Sequence, residues 1–177
     1  MACNITLSDQ TLDCRDGMGG IVEVYALADR ADITAISTTS GSTGMITGFT
    51  LDVQSLGFVT YKLRKNTASL VNTYNISEEN GTTYVRSELT LVFHKMDTSK
   101  RLEISALVIG NMAMIVKDSN GKYWFLGKDE PVTMASGTSQ TGVAKGDKNG
   151  YDVVLVCEGH EEPWEVTAAA VEALLAL

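Results

Sequence analysis

The chain has 177 residues, 44% of them hydrophobic and 20% charged, which is enough apolar material for a buried core and excludes a disordered chain. Its formal net charge is −8; an acidic protein repels the phosphate backbone, so specific nucleic-acid recognition is disfavoured. No apolar run reaches the roughly 18 residues that a membrane span requires.

The opening residues MACN carry no basic segment followed by an apolar stretch, so secretion is not expected and the setting is a cytoplasm or a particle assembled there. Residues 3–14 read as a short strand, a turn and a second short strand. Gly19 and Gly20 break the chain before residues 21–27 (IVEVYAL), which read as a strand. Residues 31–37 form another short strand candidate, followed by the small-residue loop TTSGSTG at 38–44. Strand signal returns at 45–53 and 57–64.

Residues 65–81 are rich in Asn, Ser and Thr and read as a long polar loop. A loop of that length needs a reason. Two readings fit: an arm that reaches a neighbouring subunit, or an ordinary surface loop. On the first reading the contact residues are Asn66, Thr67, Ser69, Leu70, Asn72, Tyr74 and Ile76.

Residues 82–94 are the longest strand candidate. Val85, Ser87, Leu89, Leu91 and Phe93 share one face, and Tyr84, Arg86, Glu88, Thr90 and His94 the other, the period-two pattern of a half-buried strand. The period then changes. Asp97 or Thr98 can cap a helix over 98–109, with Leu102, Ala106, Leu107 and Ile109 lining one side and Gly110 as its stop. Residues 112–117 and 122–127 form a hairpin through DSNG, where Gly121 supplies the positive φ that the turn needs. Residues 135–142 (ASGTSQTG) read as a loop, and DKNG at 147–150 as a turn before a strand at 151–158. The alanine- and leucine-rich end, 167–177, favours a helix. It can pack on its own core or on a partner.

The expected fold is therefore mainly β (α+β): a β-sandwich or partly closed barrel, with one flanking helix near 98–109, a long polar loop and a C-terminal helix. Residues 1–164 form one domain that includes the 65–81 arm, and 165–177 the terminal helix.

No constellation carries chemistry, and no enzyme, cofactor or metal is expected. The histidines are His94 and His160, and no Gly-x-Ser-x-Gly elbow is present. GSTG at 41–44 lacks the Gly-Lys-Ser/Thr ending of a phosphate loop. DSNGK at 118–122 and DKNGY at 147–151 resemble the start of a calcium loop but lack its closing glutamate. Three cysteines, Cys3, Cys14 and Cys157, make an odd count without CxxC spacing, which reads as small buried hydrophobes rather than disulfides or zinc ligands.

Several runs resemble a family of small virion proteins of tailed bacteriophages, particularly phages of gut Bacteroidales. They are MACNITL at 1–7, LDC at 12–14, Gly19-Gly20, LTLVFHKMD at 89–97 with Lys100-Arg101, IVKDSNGKYWFLG at 115–127, Thr141-Gly142 and DKNGY at 147–151. The resemblance covers much of residues 1–166 and is weakest in the terminal helix. It implies a tail-tube-like fold whose subunits form rings, commonly hexameric, with DNA passing non-specifically through the lumen during ejection. The implied partners are copies of the chain in rings and stacked rings, and other tail or neck proteins; the implied location is the virion. Acid facing such a lumen would limit DNA sticking, although the net charge fits plain solubility equally well. Two alternatives stand beside a tube subunit. One is a single-ring neck, head–tail connector or tail-terminator protein of the same fold. The other is a small β-sandwich binding module, for which Tyr123, Trp124 and Trp164 would be the exposed aromatics.

Overall fold

The computed structural model describes residues 9, 12, 15–39, 45–52 and 57–176. The expected strands at 3–14 and most of the 38–44 loop lie outside them. The strands are β1 (Ile21–Leu27), β2 (Ile33–Thr38), β3 (Met45–Leu51), β4 (Val59–Lys62), β5 (Ala68–Ser77), β6 (Thr82–His94), β7 (Ala113–Asp118), β8 (Tyr123–Leu126), β9 (Thr133–Gln140), β10 (Gly150–Gly159) and β11 (Trp164–Val166). The helices are α1 (Thr98–Ile109) and α2 (Ala168–Leu175), and a short 3-10 turn at Arg30–Asp32 precedes β2. Among the described residues the strands form two sheets: a seven-stranded one, ordered β2-β3-β11-β8-β7-β1-β4, and a four-stranded one, ordered β5-β6-β10-β9. The architecture is a β-sandwich with flanking helices, not a closed barrel.

The centre of the large sheet is buried on both faces, which explains the unbroken apolar runs Val24–Leu27 in β1 and Ala113–Val116 in β7. Val24, Ala26, Met114, Val116 and Leu126 face the small sheet and meet Leu89, Leu91, Val153 and Leu155 there. Tyr25, Leu27, Ala113, Ile115 and Phe125 point the other way, into a second cluster with Ile46, Val166 and the α2 residues Ala170, Val171 and Leu174. The terminal helix thus packs on its own core. Thr167 caps it by accepting a hydrogen bond from the Ala170 N–H at 3.4 Å. β6, by contrast, alternates buried and partly exposed positions from Val85 to Leu91, because its second face looks outward.

Two glycines meet backbone demands. Gly121 takes φ +81° in the β7–β8 turn, as its sequence context predicts. Gly127 has φ +102° and lies so close to β7 that a Cβ there would sit 3.2 Å from the Ala113 Cα.

Three expectations are corrected. Residues 65–81 are not a long loop: Ala68–Ser77 form β5, paired with β6 over the whole strand from Ala68↔Leu91 to Ser77↔Thr82. A fourteen-residue excision of 66–79 would therefore remove Ala68 and Leu70, which pack against the first core cluster, rather than trim a loop. Residues 135–142 are not a loop either, since most of them lie in β9, paired with β10. Their side chains are too small to show a pattern, and the partner strand supplies the ladder. Finally, α1 has the predicted bounds but turns a different side inward. Leu107 is buried and Ile104 packs on the core, while Leu102 and Ile109 stand exposed. Asp97 is its cap, accepting from the Ser99 N–H at 2.8 Å. Gly110 does follow the helix, in an extended rather than left-handed conformation. A Cβ at Gly110 would meet the Ala106 carbonyl oxygen at 3.1 Å.

Candidate assembly surface

The β5–β6 hairpin is half core and half projection. Where Ala68 and Leu70 lie opposite Leu91 and Leu89, the inward side chains join the sandwich interior. Further along the same face, Tyr74 lies opposite Val85 and Ile76 opposite Thr83. Tyr74 is 59% exposed and Ile76 69%, so this end of the hairpin runs past the core that covers its beginning. On the opposite face Val71 is also exposed.

The seven predicted contact residues separate accordingly. Asn66, with φ +61°, and Thr67 form the turn into β5, where the Thr67 hydroxyl donates to the Arg64 carbonyl at 2.6 Å. Ser69 faces outward, and Leu70 belongs to the core. Asn72 points inward opposite Ser87, and its Oδ1 is buried without a hydrogen-bond partner. Tyr74 and Ile76 are the two that present apolar surface.

The backbone phase of β5 follows from one bond. The Val92 N–H donates to the Thr67 carbonyl at 2.9 Å, and the register Ala68↔Leu91 places those two residues opposite each other. Facing residues in an antiparallel pair alternate between bonded and non-bonded. Odd-numbered positions of β5 therefore point their backbone groups at β6. Ala68, Leu70, Asn72, Tyr74 and Ile76 point theirs at the free edge.

Among the described residues that edge lacks the usual protection. An edge strand is a template for pairing with another chain, and proteins blunt it with charge, proline, bulges or shortness. β5 is ten residues long, ASLVNTYNIS, with no charge and no proline. The opposite edge, β9, is TMASGTSQ, again without charge or proline, and has one irregularity, a register shift opposite Val154/Leu155. Helix α1 packs along β9 and leaves Leu102 58% and Ile109 84% exposed.

The outward face of the small sheet is mixed, with Val71, Val92, Val154 and Val156 among polar side chains. Arg86 lies 3.9 Å from Glu88 and 3.7 Å from Glu158, and Asp152 pairs with Lys148. Ser69, Thr73, Thr90, Ser136 and Thr138 fill much of the rest by register. Exposed pairs of this kind add little stability, but they set the sign of the surface.

The other candidate groups are engaged in structure. Asp118 Oδ1 accepts the Asn120 and Lys122 N–H groups at 2.8 and 2.9 Å. Asp147 Oδ2 accepts the Val143 and Ala144 N–H groups at 2.8 and 2.7 Å, and these bonds hold its carboxyl below the ordinary range. The first calcium-like run is thus a turn closed by its own aspartate, whereas Asp147 closes the turn that precedes the second, so the turn expected at 147–150 lies at 144–147 instead. Cys157 is partly buried with Sγ 3.3 Å from the Glu130 carbonyl oxygen, and burial pushes its thiol pKa up, the opposite of an activated nucleophile. Cys3 and Cys14 lie outside the described residues. Among the described residues no cluster of three or more His, Cys, Asp or Glu could hold a metal, and no helix is long and apolar enough to cross a membrane.

The three aromatics singled out for a binding module are not free platforms. Tyr123 and Trp164 pack against the second cluster. The Trp164 indole donates to Glu161 at 2.7 Å, and the Lys128 ammonium sits 3.5 Å from its ring centroid. Trp124 donates to Asp118 at 3.2 Å.

No protein-family model matches the chain, and no curated protein or solved structure is significantly similar to it.

Proposed function

We propose that the chain is a structural protein of a tailed-bacteriophage virion that assembles with copies of itself into rings, which form or adjoin a tail tube. The observation that carries this reading is the β5 edge, unprotected among the described residues, with Tyr74 and Ile76 exposed beside it. The order of the sequence motifs that resemble phage virion proteins supplies the biological setting.

The sheet's geometry supports a ring in particular. All three pairings within β5-β6-β10-β9 are antiparallel, so an even number of strands sets the two edges in opposite directions. The β5 edge of one copy can then add to the β9 edge of the next as one more antiparallel pair. Joining two different edges is a heterologous contact, and such contacts close into a ring when the rotation permits. β9 faces β5 across the sheet only as far as the level of Val71, since Thr133 lies opposite Val156, Val156 opposite Glu88, and Glu88 opposite Val71. The far half of the hairpin would extend beyond that junction, where a stacked ring or a neighbouring tail protein would cover Tyr74 and Ile76. With its outward face toward the lumen, the sheet would line the passage with valines, hydroxyls and a slight excess of carboxylate, and that excess weakens DNA adhesion.

Negative-stain electron microscopy of the purified protein over a range of concentrations, with mass measurement in parallel, tests the reading. Rings or hollow tubes are expected, and their symmetry gives the subunit number. Tubes would assign the chain to the tail shaft; isolated rings would assign it to a neck, connector or terminator. A strict monomer at every concentration, also when mixed with rings or tubes from a virion, would overturn the proposal.

A further inference from the structure

We draw no further inference here: the strongest candidate, the groove of about 450 Å³ between the two sheets lined by Leu70, Asn72, Asp118, Trp124 and Glu162, carries nothing because nothing in the structure shows what would fill it.

Discussion

Leu89 is fully buried on the inward face of β6, within the first core cluster. Leu89→Ala would remove its packing and leave a cavity, at a cost of about 3 kcal/mol. Urea denaturation should show the midpoint falling with the slope unchanged. Asp97 acts at the surface and through pH. Its hydrogen bonds from the Ser99 hydroxyl and N–H lower its pKa below the ordinary 3.8. A carboxylate whose pKa is depressed by folding stabilises the fold above its unfolded value, and that contribution disappears as pH falls through the folded value. Asp97→Asn keeps a good helix cap and removes the titration. Thermal melts should therefore match wild type near neutral pH, and the variant should lose less of its melting temperature below about pH 4. Parallel acid limbs in the two proteins would contradict this account. Both roles were legible in the sequence: Leu89 from alternation, Asp97 from its place before a change of period.

At the scale of elements, the backbone phase of β5 gives a paired test. Ile76→Pro removes an N–H that points at the free edge, where proline is tolerated. Asn75→Pro removes one that points at β6 and should loosen the hairpin. Ile76→Pro is expected to stay folded by circular dichroism and, because Ile76 lies beyond the β9 junction, to form rings that no longer stack in the microscope. Normal stacking by the Ile76→Pro protein would remove the far half of the β5 edge from the interface. The end helix gives a contrasting result. Stopping the chain after Val166 would uncover the cluster that Ala170, Val171 and Leu174 close, at a cost of about 4 kcal/mol, visible as a large drop in the unfolding midpoint. Element boundaries such as Thr82–His94 and Thr98–Ile109 were readable because alternation and capping are local. The failures were also local in cause. The run 68–77 does alternate, with Leu70, Tyr74 and Ile76 on one side, but Asn and Thr between them mask the pattern. In α1, Ile104 with Leu107 and Leu102 with Ile109 are apolar sets on different sides of one helix, and periodicity cannot say which faces the core.

For the whole molecule, the two-sided burial of the large sheet is the organising feature. One face packs on the small sheet and the other on α2, so the small sheet is left with an outward face and two uncharged edges. The assembly proposal rests on that asymmetry. Analytical ultracentrifugation should give a mass that rises with concentration in wild type and stops at a single ring in Ile76→Pro. The sequence by itself determined the class of fold, the long central strand, the helix that follows it, the turn hairpin at 118–121 and the terminal helix, because each depends on periodicity, capping or turn chemistry within a few residues. Only the tertiary structure decided that residues 68–77 and 133–140 are strands, which stripe of α1 is buried, and that Tyr74 and Ile76 lie on an edge that is unprotected among the described residues. Those outcomes depend on which distant segment lies alongside, and no local pattern records that.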